Sequence, residues 1–146
     1  MSMKSLLLLH LVFIGVWLGC VLTEALFERA LLGKGHESEL LLAQLHKRVD
    51  LFVEVPAFLV VLLTGGFMLR GASADPELAA KVGVGAVAIA TNVYCVWLVF
   101  RRSAHASAGN WEAFAKVDRL QHKFGAIVLV ALLLALGIGL HRHAGA

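Results

Sequence analysis

Three sets of ionisable side chains recur along this chain at helical intervals. His46, Asp50 and Glu54 are spaced i, i+4, i+8, which on a helix stacks them on one face with about 6 Å of rise per step. Cys20, Glu24 and Glu28 repeat that interval, and Asp118 and His122 are again four apart. Asn92 and Cys95 add polar atoms in a further segment, with His105 just beyond it. All stand within or at the edge of long apolar runs, where an ionisable group is costly and by default either functional or paired.

Two chemistries use such sets. Neutral imidazoles from two helices can ligate a haem iron axially while arginines or lysines pair with the propionates. His46 and His122 are the axial candidates, and Arg48, Arg101 and Arg119, with Lys47, Arg102 and Lys123, are the propionate candidates. Alternatively, imidazole and carboxylate from several helices hold a copper, iron or zinc ion, the ligand candidates being His10, His46, His122, Asp50, Glu54 and Asp118. No Glu-x-x-His pair is present, so the di-iron bundle signature is absent. Ion pairing alone is the third reading, with Glu24, Glu28, Asp50 and Glu54 against Arg48, Arg101, Arg102 or Arg119. His10 stands apart, about a turn and a half into its run among aliphatic residues. An unpartnered imidazole in lipid is unfavourable, so His10 is expected to face the interior and meet a ligand, Lys81 or a backbone carbonyl.

The composition says what must position these groups. Of 146 residues 60% are hydrophobic and 16% charged, with a mean hydropathy of +0.83, where a soluble domain carries about 25% charged residues. The apolar residues form four blocks, each long enough to cross a hydrocarbon core of about 30 Å. The expected fold is therefore all-α, a single integral membrane four-helix up-down bundle over 1–146, with helices at 5–30, 40–70, 78–102 and 111–141. The first block is longer than a signal-peptide core and no small-x-small site follows it, so it is expected to remain. Glycine-rich or polar turns at Gly33–His36, Gly71–Pro76 and Ser103–Asn110 join the spans. Leu40–Arg48 and Trp111–Gln121 are expected to extend the second and fourth helices, the latter alternatively lying along the membrane surface. Trp17, Trp97 and Trp111 read as interface anchors, the two cysteines as small buried hydrophobes, and His36, His105, His141 and His143 as solvated.

Nine of the thirteen basic residues flank the loops that join helices 1–2 and 3–4. By the positive-inside rule that face is cytoplasmic and both termini point away from it, in a bacterial-type inner membrane. The basic residues are flanks of spans, not a nucleic-acid surface. Leu45-His46-Lys47 and Gln121-His122-Lys123 open two similar aliphatic runs that end in paired glycines, an internal echo that puts the two histidines at similar depth.

Leu9-His10-Leu11 followed by Val16-Trp17-Leu18-Gly19 resembles the opening helix of HemJ-type protoporphyrinogen oxidases, CopD-type copper-resistance domains and related small membrane proteins. Lys47-Arg48 through Asp50, Phe52, Pro56-Ala57 and Thr64-Gly65 is similar to the second helix of that group, and Lys81 with Tyr94-Cys95 and Arg101-Arg102 to the third helix of HemJ. The resemblance implies a four-helix haem-associated protein in which His10 is the haem-related histidine and Lys81 the functional, catalytic lysine. Thr91-Asn92-Val93-Tyr94 lacks the histidines HemJ proteins carry beside that tyrosine, and Leu120-Gln121-His122-Lys123 replaces their fourth-helix Asn-Glu-x-Pro pattern. Three methionines are few for copper handling. The expectation is a haem b membrane redox protein, an oxidoreductase or electron carrier with a quinone or protein redox partner. The alternative is a protein that binds or transports a transition metal. Lipid is a partner in both, and a homo-oligomer is compatible with either.

Overall fold

The computed structural model describes the backbone of residues 2–70, 72–73 and 75–144, and side chains to Arg142. Gly71 and Ala74 of the second turn and the side chain of His143 lie outside the described residues. Four long helices run Met3–Leu31, His36–Leu69, Pro76–Ser107 and Trp111–Ala144. Each is long and apolar enough to cross a membrane, and the chain is an all-α four-helix bundle of the multi-pass membrane type.

The local signals that start and stop these helices are ordinary. Ser2 caps the first through its hydroxyl, 3.1 Å from the Ser5 amide. Asp75 caps the third by accepting from Leu78 at 2.8 Å, with Pro76 in the first turn, where its missing N–H costs nothing. The third helix ends on Gly109 at φ 69°, with Asn110 donating to the His105 carbonyl and Gly109 to that of Ala106. This is a Schellman ending, which needs a residue that tolerates the left-handed conformation. The third helix was expected to stop near Arg102. It runs on to Ser107 because Gly109 is the first residue able to end it, and Ser103 and Ala106 are buried there. Leu40–Arg48 and Trp111–Gln121 do continue the second and fourth helices.

The second helix is interrupted once. Pro56 has no N–H for the Phe52 carbonyl, and its ring crowds that oxygen. The preceding turn widens into a π-turn over Asp50–Glu54, in which the Val55 amide reaches back five residues to the Asp50 carbonyl. Asp50 and Glu54 at its two ends are buried while Leu51, Phe52 and Val53 face outward.

The helices pack as two antiparallel hairpins. The third and fourth run together along their length, and the first lies against the second; between hairpins the first half of the second helix meets the third. The first and fourth helices touch little. Trp17, Phe58, Val61, Ala88, Val128 and Leu132 form the main apolar core. A smaller cluster of Ala43, Ala106 and Phe114 closes the end that carries the 1–2 and 3–4 loops, where His36 stacks on Trp111 at 4.1 Å. His36 is exposed, as expected, and a helix starting there lays its ring on the half-buried Trp111, which was expected at an interface. At the opposite end Arg142 pairs with Asp75. That bond holds the exposed Asp75 carboxyl below its usual range. The pairing is therefore present at neutral pH and is lost only as pH falls through the depressed value.

Candidate metal centre

At the loop end, polar residues from all four helices turn inward: Glu24 and Glu28, then His46, Asp50 and Glu54, then Asn92 and Arg102, and finally Asp118, Gln121 and His122. The i, i+4 ladders produce this, since each sits on the buried stripe of its helix. Asp50 is 1% exposed, Glu54 3%, Glu24 8% and Arg102 0%.

Arg102 organises one half of the cluster. Its Nη1 donates to Glu28 Oε1 and to Asp118 Oδ1, both at 2.6 Å, and its Nη2 lies 2.8 Å from His46 Nδ1. These bonds join the two hairpins, because Glu28 and His46 belong to one and Arg102 and Asp118 to the other. His46 is in turn 3.0 Å from Glu24 through Nε2, 3.5 Å from Glu28 through Nδ1 and 3.6 Å from Asp50. With the proton on Nε2 it donates to Glu24 and accepts from Arg102; a proton on Nδ1, which would free Nε2 as a ligand, faces the Arg102 Nη2 donor at 2.8 Å and needs that guanidinium to turn toward Glu28.

The other half has carboxylates without a cation. Glu54 accepts from Trp17 Nε1 at 3.2 Å, and the nearest basic group to Asp50 is His46. Both carboxylates were expected to point into the bundle and there either to meet Arg101, Arg102 or Arg119 or to bind a cation. They do point inward, but Arg102 is taken by Glu28 and Asp118, and Arg48, Arg101 and Arg119 are exposed. Arg101 instead lies over the Trp97 ring. Trp17, expected at an interface, is 2% exposed and serves as the hydrogen-bond donor beneath Glu54.

A cavity of about 260 Å³ lies among these groups. Glu24, His46, Asp50 and Asn92 line its inner wall, and Ala25 and Ala126 its rim on the sparsely touching first and fourth helices. Among the described residues two groups of three ligand atoms each fall within 4.8 Å of one another: Glu24, His46 and Asp50, all buried, and Glu28, Asp118 and His122. Two ligands at about 2.1 Å from one ion can be at most about 4.2 Å apart, and in the first set His46 Nε2 is 3.0 Å from Glu24 and 3.6 Å from Asp50. The second is already bridged by the Arg102 guanidinium. The first therefore carries the open negative charge.

The two histidines chosen for axial haem ligation do share this end. His46 is buried and His122 is half exposed, its Nδ1 2.9 Å from the Asp118 carbonyl and its Nε2 3.4 Å from Glu28 Oε2. Glu28 thus stands between the two rings, although both line the same cavity. His10 and Lys81 are not brought to this cluster. His10 lies fourteen residues before Glu24 and Lys81 eleven before Asn92, about 21 and 16 Å along their helices. His10 faces inward, bonded to Thr64 Oγ1 at 2.7 Å and beside the Val61 carbonyl, and Lys81 folds its amine over Gly139, where a Cβ would sit 3.1 Å away.

No protein-family model, curated protein or solved structure matches the chain. The site must therefore be judged on its geometry. From the sequence Arg102 was one of several arginines, Glu24 and Glu28 were ion-pair partners and not ligands, and Gln121, whose amide nitrogen is 3.2 Å from both ring nitrogens of His46, was not among the candidates. A signal for Arg102 is present: Ala88, Asn92, Cys95, Val99, Arg102 and Ala106 recur at alternating steps of four and three, and all six are buried.

Proposed function

We propose that this protein binds a divalent first-row transition metal within its membrane bundle, with Glu24, His46 and Asp50 as ligands. The observation that carries the reading is the crowding of carboxyl groups around one cavity: of five at this end of the bundle only Glu28 and Asp118 reach the Arg102 guanidinium, and Glu24 Oε1 and Asp50 Oδ1 have no hydrogen-bond partner. Unpartnered carboxylate oxygens in a low-dielectric interior are strongly unfavourable unless a cation answers them. One imidazole with carboxylate oxygens suits manganese, iron or zinc better than magnesium or calcium, which take oxygen alone, or copper(I), which prefers sulfur. The basic residues flanking the loops orient this end toward the cytoplasm of a bacterial-type inner membrane.

The test is metal analysis and titration of the detergent-purified, chelator-stripped protein. About one equivalent of Mn²⁺ or Zn²⁺ is expected per chain, falling to background in Glu24→Gln/His46→Ala. Equal binding by wild type and variant, or none by either, overturns the reading.

A second reading, a b-type haem in the opposite half, rests on His10. The Thr64 hydroxyl donates to the Val60 carbonyl at 2.6 Å and so accepts from His10 Nδ1, which leaves the Nε2 lone pair free for a ligand. Gly65 makes room there, since a Cβ at that position would come within 3.3 Å of the ring. This haem would serve electron transfer or oxidation with a quinone or protein partner, as the HemJ-like motifs imply. A Soret band in the purified protein that disappears in His10→Ala is its expected sign; a colourless wild type reconstituted with hemin excludes it.

A further inference from the structure

Among the described residues, and besides Glu28 Oε2, which lies 3.4 Å from His122 Nε2, four buried polar atoms around the cavity, one from each helix, lack a hydrogen-bond partner: Glu24 Oε1, Asp50 Oδ1, Asn92 Nδ2 and Gln121 Oε1. Their side chains all line the same cavity, and the residues are between 1% and 8% exposed. Buried polar groups are rarely left this way, so each asks for a complement. The two carboxylate oxygens answer a positive centre. Asn92 Nδ2 cannot, because an amide N–H presents positive charge and repels a bare cation. Its complement is an oxygen. Gln121 Oε1, from the facing helix, asks for a hydrogen.

We propose, building on the metal reading above, that the bound ion keeps an exchangeable oxygen ligand, water or hydroxide, held between the Asn92 and Gln121 amides. The ligand oxygen accepts from Asn92 Nδ2 and its hydrogen is donated to Gln121 Oε1, so both orphan amide groups are satisfied by one molecule. With Glu24, His46 and Asp50 this makes three protein ligands and one open position. That is the arrangement of zinc sites that exchange or activate ligands, whereas structural sites are closed by four protein ligands. The cavity that would hold this ligand is lined on the first and fourth helices by the small residues Ala25, Gly125 and Ala126. Asn92 is a positioning residue here: it touches the exchangeable ligand and not the ion.

The experiment uses the full chain in detergent micelles loaded with Mn²⁺, whose paramagnetism reports water in its inner shell through water-proton relaxation. Wild type is expected to show a fast-exchanging inner-shell water and to bind azide at the ion. Asn92→Leu should retain Mn²⁺ while its azide affinity falls about tenfold or more, the scale of losing an outer-shell partner; Asn92→Ser serves if the leucine variant does not fold. Bound Mn²⁺ without an inner-shell water, or unaltered azide affinity in the variants, overturns the open-position proposal and leaves the metal reading standing. Failure of Mn²⁺ to bind wild type overturns both.

Discussion

Replacing Arg102 with methionine is expected to destabilise the bundle by about 3–5 kcal/mol, the cost of removing one partner from a buried ion pair. The guanidinium is wholly buried and donates to two carboxylates and a histidine drawn from three other helices. Without it, Glu28 and Asp118 are left desolvated and mutually repelling at the one place where the hairpins are held by polar bonds. Arg102→Lys should recover part of the loss, since a single ammonium supplies charge without the planar fork that reaches Glu28, Asp118 and His46 together. Adding Glu28→Gln and Asp118→Asn to Arg102→Met should recover more, because the uncompensated charges are gone. Thermal unfolding in detergent, followed by circular dichroism, reads all three. A loss of under about 1 kcal/mol for Arg102→Met, the value of a solvated surface pair, contradicts this role.

The second large effect has opposite signs in the absence and presence of metal. Glu24→Gln with Asp50→Asn removes two carboxylates whose oxygens lack partners. The metal-free double variant should be more stable than wild type by about 1–3 kcal/mol per relieved group. Its affinity for Mn²⁺ or Zn²⁺ should fall by more than the 10–100-fold typical of losing an outer-shell partner, because two ligands that touch the ion are lost. Stability gained as binding is lost is the mark of a site held against its own folding preference. Paired unfolding scans with chelator and with saturating metal make the comparison. A double variant that is less stable than wild type in chelator shows that these carboxylates are structural.

Much of this was legible in the sequence, and the reasons are specific. Four apolar blocks bounded by charges fix the number of spans, because nothing else satisfies the backbone in a bilayer. The step of four between His46, Asp50 and Glu54 puts them on one face whether the turn between them is α or π. The identity of the inward arginine was not legible from composition: Arg101 and Arg102 differ by about 100° around the helix, and only the register with Asn92 and Cys95 selects the second. Helix ends were also displaced. Ser103–Ser107 looks polar enough for a loop, yet no residue before Gly109 can end the helix, and burial against the second helix uses those small side chains. The matched depth of His46 and His122 was readable, but not that Glu28, one helix away, would sit between them. That depends on how closely the first helix approaches the fourth, which no local pattern encodes.

The division of the polar cluster between two hairpins has a consequence for biogenesis. Domains and helices emerge from the ribosome in order from the N-terminus, so the first hairpin enters the bilayer before Arg102 has been made. At that moment Glu28 lacks the guanidinium that later answers it, and an acidic residue at the centre of a span adds about 2.5–3.5 kcal/mol to the cost of insertion. The early hairpin is therefore a provisional occupant of the membrane, its charged end best left near the lipid headgroups. Arrival of the third helix draws that end inward, and the last half of the chain decides whether the first half stays.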